Sequence, residues 1–158
     1  MNKDLFFLSR RGLGGGGPTS LPVMPEIVKD VEAWNLADQS AVVSEWMARR
    51  TMGECPELLY IHDFYWLADK WVGNQILKDR RVLLDKLLLS EKIKRPECVY
   101  QGFVDFFNKQ KEIPYTEGCV IKSLNATVIG DRKESKKNPL FTKIKWRDGA
   151  DGRTEFKY

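Results

Sequence analysis

The run Leu58–Leu67, Leu-Leu-Tyr-Ile-His-Asp-Phe-Tyr-Trp-Leu, restricts the fold of this chain more than any other segment. Aromatic and branched side chains pack well on a pleated surface, and ten residues are few for a fully buried helix. The run predicts a buried strand, so other elements must cover it. A single domain of 158 residues can supply that cover. At this size about 68–70% of the unfolded surface is removed from water. Hydrophobic residues at 42% and charged residues at 30% give a globular balance.

Around this strand the patterning alternates between periods. Asp4–Ser9, with Leu5, Phe6, Phe7 and Leu8 between polar ends, predicts a short strand. Gly12 to Ser20 predicts a glycine-rich loop. Its run Gly14–Gly17 lacks the Gly-Lys-Ser/Thr of a phosphate-binding loop. Pro25 starts a helix along Ile27, Val28, Val31 and Trp34, and residues 35–39 turn the chain. Ser40–Ala48 predicts a strand. Gln75–Ile93 predicts a long helix, with Leu77, Leu84 and Leu88 on one stripe and Arg80, Arg81, Asp85 and Lys86 around it. Those arginines read first as supports for packing and surface pairs. Gly102–Gln110 predicts a helix with Phe103, Phe106 and Phe107 on its apolar side. Gly118–Ser123 and Leu140–Trp146 predict strands, the second alternating strictly. Strands and helices follow one another without a regular βαβ order. The expected class is α+β, with mainly antiparallel sheets flanked by helices.

Charge and cysteine usage exclude several functions. Between Gly130 and Tyr158 lie nine basic and five acidic residues, which carry the whole net charge of +4. A basic C-terminal segment is either a solvated tail or a surface for phosphates. Cys55, Cys98 and Cys119 share no close spacing, against a disulfide framework or a paired-cysteine zinc site. Cys119 reads as a small buried filler. The lone histidine, His62, excludes a two-histidine relay; in an apolar run it reads first as a core histidine. No run approaches the ~18 apolar residues of a membrane span, and the N-terminal apolar stretch is short for a signal peptide. The expectation is a cytoplasmic protein with reduced thiols and no membrane partner, or a nucleoid or nuclear one.

Two stretches carry candidate chemistry: Glu117-Gly118-Cys119-Val120-Ile121-Lys122 and Lys143-Ile144-Lys145. Lysines two apart on a strand share a face. Burying such a face is costly unless an anion meets it, and phosphate suits a compact ammonium. Glu-Gly-x-Val-x-Lys followed by Lys-x-Lys resembles motifs IV and V of the ATP-dependent DNA ligases. Their covalent nucleotidyltransferase superfamily also holds RNA ligases and mRNA capping enzymes. Ser9-Arg10-Arg11-Gly12 is similar to the family's Ser-Arg-x-Gly. Val42-Val43-Ser44-Glu45 resembles motif III, with Val43-Ser44 in place of Asp-Gly. Residues 61–67 resemble motif IIIa, and Arg80-Arg81 the helix that follows it. The resemblance covers residues 4–146, leaving a basic tail at 147–158.

The resemblance implies an incomplete adenylation fold that binds ATP with magnesium and acts on nicked DNA in replication, repair and recombination. Lys122, Lys143 and Lys145 would contact the nucleotide phosphates. Glu45 and Glu117 would serve the ribose or the metal. His62 would stand where the family stacks a phenylalanine on adenine, and Arg10 and Arg11 would face DNA. The family's nucleophile is the lysine of Lys-x-Asp-Gly, and residues 1–158 contain no such motif. The expectation is therefore no covalent catalysis by this chain alone. A truncated, split or degenerate domain would each fit, the split form needing an upstream polypeptide that carries the motif. A non-catalytic nucleic-acid-binding module is the alternative from the residues themselves.

Overall fold

The computed structural model describes residues 5–8, 23–47, 56–113, 116, 118–128 and 140–145. It is a small α+β fold with antiparallel sheets and three helices among the described residues. The expected strand Asp4–Ser9 reduces to an isolated bridge at Leu8, with Asp4 and Ser9 outside the described residues. The glycine-rich loop is also outside them.

Helix α1 (Pro25–Glu32) begins on its proline, where no intrahelical N–H is needed, and buries Ile27 completely. Trp34 lies beyond its end and donates its indole N–H to the Leu88 carbonyl at 2.8 Å. Strand β1 (Ala41–Met47) pairs antiparallel with β2 (Leu58–Leu67), the expected buried strand with the expected bounds. The register breaks twice. Ser44 faces Ile61 while Val43 faces Asp63, so His62 is an extra residue. Val42 faces Phe64 while Ala41 faces Trp66, so Tyr65 is another. Each bulge shifts the alternation by one place, and the neighbours Asp63 and Phe64 are both buried.

A hairpin that the sequence did not reveal follows β2. Ala68 and Asp69 have φ of 51° and 62°, and the chain returns as β3 (Lys70–Trp71). Positive φ at both central residues belongs to the mirror-image two-residue turn, which favours Asn-Gly. Here Ala-Asp is held there from outside: Ser40 Oγ accepts the Ala68 N–H at 3.1 Å, and the Gln39 carbonyl accepts that of Asp69 at 3.3 Å. Trp71 pairs across with Trp66 and meets both Trp66 and Tyr65 edge-on, at 5.7 and 5.6 Å between ring centres.

Helix α2 (Leu77–Asp85) is shorter than the expected Gln75–Ile93. After Lys86 the chain tightens, and Ser90 Oγ accepts the N–H groups of Lys92 and Ile93 at 3.1 and 3.0 Å. That competing partner turns the chain into β4 (Ile93–Lys94), parallel to Leu59–Tyr60, and buries Ile93. The expected stripe also changes. Leu77, Arg80 and Leu84 face inward, while Leu88 is 64% exposed. Helix α3 (Phe103–Lys111) buries no residue fully; Phe106 and Phe107 are half-buried but Phe103 is 57% exposed. The core gathers Ile27, Leu59, Ile61, Phe64, Val72, Leu84, Leu87 and Ile93.

Within this apolar assembly sits an ion pair. Arg80 is 0% exposed. Its Nε and Nη2 donate to Asp63 Oδ1 and Oδ2 at 2.8 and 2.9 Å, and its Nη1 donates to the carbonyls of Gln75 and Ala126. Asp63 Oδ1 also accepts the Phe64 N–H at 2.8 Å. Arg80 therefore has the packing role expected of it, as the buried centre of a network.

Two outcomes follow for stability. Arg80→Ala or Asp63→Ala strands a buried charge and should cost about 3–5 kcal/mol. The double variant Asp63→Leu/Arg80→Met should cost clearly less than the sum of the single ones. Urea unfolding of all three checks this, and additive losses would contradict it. Converting Ala68-Asp69 to Asn-Gly should raise stability by about 1 kcal/mol by relieving the left-handed residues. The urea midpoint should rise, and a fall would show that the native turn is not strained.

Candidate functional site

The two lysine-bearing stretches form one antiparallel ribbon, β5 (Gly118–Lys122) and β6 (Phe141–Lys145). Its register sets Gly118 opposite Lys145, Val120 opposite Lys143 and Lys122 opposite Phe141. Directly opposed residues project to the same side, and alternate residues share a face. Val120, Lys122, Phe141, Lys143 and Lys145 therefore line one face; Cys119, Ile121, Thr142 and Ile144 line the other. Three lysines separated by up to twenty-three positions in the sequence share this face, with Lys122 and Lys145 at its opposite ends.

Gly118 makes this register possible. A Cβ there would lie 2.0 Å from the Ile144 carbonyl oxygen and 2.8 Å from the Lys145 Cα. Only glycine lets the partner backbone come so close. At the other end the Ser123 N–H donates to the Leu140 carbonyl at 2.9 Å and closes the pair.

The three ammonium groups have unlike surroundings. Lys143 is exposed and Lys145 half-buried. Lys122 is half-buried, with Nζ 5.4 Å from the centre of the Phe141 ring. Burial pulls its pKa below the usual lysine value, and the Arg80 and Arg81 charges add to that, while Asp63 and Cys98 oppose it. The ribbon's inner lysine thus lies within the field of the buried ion pair and of α2.

Glu45 and His62 meet on the main sheet. His62 Nε2 is 3.7 Å from Glu45 Oε2, with side-chain exposures of 32% and 51%. The bulge turns His62 outward, so it is not a core histidine; its described partner is a carboxylate. Asp63, next to His62 in β2, is the carboxylate whose charge acts on Lys122. Glu117, Arg10 and Arg11 are outside the described residues. Among the described residues no group of three or more metal-binding side chains comes together. Glu45 alone is a poor magnesium site without donors from a ligand, so no step is assigned to a metal. The half-buried Cys119 thiol has a raised pKa because of burial, in keeping with a filler. No described helix is long and apolar enough to cross a membrane.

Sequence reasoning missed the Asp63–Arg80 centre. Its signal was an aspartate inside the most apolar run of the chain, which demands a cation. It also missed a groove over α2, lined by Lys78, Arg81, Val82, Asp85, Tyr100 and Leu124. Comparison with models of protein families, with curated proteins and with solved structures finds no match.

The lowered Lys122 pKa has a defined effect on stability. Between its folded pKa and the ordinary 10.5, the unfolded chain binds more protons than the folded one. Stability contributed through this group therefore rises with pH across that window and is least favourable below it. Chemical unfolding of Lys122→Met across the alkaline range should lack this rise relative to the original chain. Identical pH slopes would contradict it.

Proposed function

We propose that this chain is a nucleotidyltransferase-like domain of the ATP-dependent DNA ligase type, with the lysine face of the β5–β6 ribbon as its triphosphate-binding surface. The observation that supports this reading is the shared face of Lys122, Lys143 and Lys145. Cations on one side of a ribbon raise the local positive potential, which favours a polyanion. Lys143 and Lys145 act as outer point charges for phosphate oxygens. Lys122 lies beside the Phe141 ring, and burial disfavours its ammonium form, so an anion next to it would stabilise that charge.

The reading is one of binding. Residues 1–158 carry no Lys-x-Asp-Gly, so this chain by itself makes no covalent lysine–nucleotide adduct. Its role is to hold ATP while a lysine from elsewhere attacks the α-phosphate and expels pyrophosphate, and, in a complete ligase-type assembly, to hold the adenylated 5′ end of the nick while the 3′-hydroxyl attacks it and AMP leaves. Glu45 and His62 are assigned to the nucleoside side of that surface.

Calorimetric titration with ATP tests the proposal. Each lysine lost from a phosphate contact should weaken binding by about tenfold. The Lys143→Ala/Lys145→Ala variant should bind ATP far more weakly, with an unchanged far-ultraviolet spectrum. Unaltered ATP affinity would overturn the reading. Salt-sensitive DNA binding that saturating ATP leaves untouched would replace it with a plain nucleic-acid-binding module.

A further inference from the structure

The outer stripe of α2 carries Lys78, Arg81, Val82 and Asp85, spaced at three, four and seven residues, away from the buried stripe of Leu77, Arg80 and Leu84. Tyr100 on one side and Leu124 on the other complete a groove of about 290 Å³. An enclosed cavity of about 150 Å³ holds a benzene ring; this groove is half open, so a one- or two-ring molecule would lie against it with part of its surface in water.

The groove has an apolar part and a cationic part. Val82, Tyr100 and Leu124 are all exposed large hydrophobics. The Tyr100 ring offers a face for stacking. Two cations, Lys78 and Arg81, stand against one carboxylate, Asp85, which is bridged by Arg95. Arg81 donates through Nη1 to Cys98 Sγ at 3.1 Å, which holds one end of its guanidinium and leaves other N–H donors at the groove. The position of Leu124 is fixed, because its carbonyl accepts the Lys78 N–H at 3.0 Å.

We propose that this groove, which adjoins the inner end of the lysine ribbon at Leu124, is a second binding site for a small aromatic anion: an aryl phosphate or carboxylate of one or two rings. The ring lies between Tyr100 and the Val82 and Leu124 side chains. The anionic group meets Lys78 and Arg81. Neither half suffices: the apolar surface is small, and one exposed and one half-buried cation bind a lone phosphate weakly in water. The two together select a molecule with both features.

Titration of the full chain with 1-naphthyl phosphate, followed by amide NMR, tests this. Naphthol and inorganic phosphate are the two control ligands. Naphthyl phosphate should saturate one site, move the amides of residues 78–85 and of Leu124, and bind at least about tenfold more tightly than either control. Lys78→Glu and Val82→Asp, both at exposed positions, should each abolish saturation while leaving ATP affinity unchanged. Equal affinity for the three ligands would overturn the proposal. So would shifts centred on Lys143 and Lys145, which would give the ligand to the ribbon. Because the ATP and naphthyl phosphate titrations read different variants, either site can fail without the other.

Discussion

The Asp63–Arg80 pair organises this fold. A carboxylate in the middle of β2 cannot be buried alone, and Arg80 answers it with two parallel hydrogen bonds. The same guanidinium reaches the Gln75 and Ala126 carbonyls, so one side chain ties the central strand, the approach to α2 and the segment after β5. Those contacts specify geometry more than they add net stability, since desolvating both ions offsets much of their attraction. The α2 N-terminus depends on the same arrangement. It has no side-chain cap; the carbonyls of Ala126 and Leu124 accept the N–H groups of Leu77 and Lys78.

From this centre the ribbon takes its place. Ala126 is fully buried beside Arg80, and β5 ends only four residues earlier, at Lys122. The inner lysine is therefore brought near Asp63, Arg80 and Arg81, while β6 carries Lys143 and Lys145 outward on the same face. A two-stranded ribbon is marginal by itself in water. Its support comes from α3, which packs on β5, and from the anchored segment that follows it. The proposed anion surface is thus the outer end of a scaffold whose inner end is a buried ion pair.

Parts of this were legible in the sequence because they depend on local patterning. The bounds of β2 follow from its apolar run, and the strand periods of residues 118–122 and 141–145 were enough to bring three lysines to one face once the pairing was known. Parts that depend on tertiary partners were not legible. Ala-Asp is a poor turn signal, and Ser40 and Gln39, from before β1, hold it in a left-handed bend. The end of α2 is decided by Ser90 and by the place Ile93 finds beside Leu59. Arg80 reads as a support for packing, but its partner lies seventeen positions earlier in another element, where local patterning does not point to it. His62 turned outward because of a bulge, which a period-two reading does not anticipate.

The most direct test observes the lysines themselves. Side-chain NMR of the three ribbon ammonium groups during an ATP titration reports whether they share one ligand. The account predicts that the Lys122, Lys143 and Lys145 signals move together along one saturable curve, and that slowed exchange of the Lys122 ammonium protons accompanies it. Signals that move independently, or that stay fixed while ATP binds elsewhere, would contradict it.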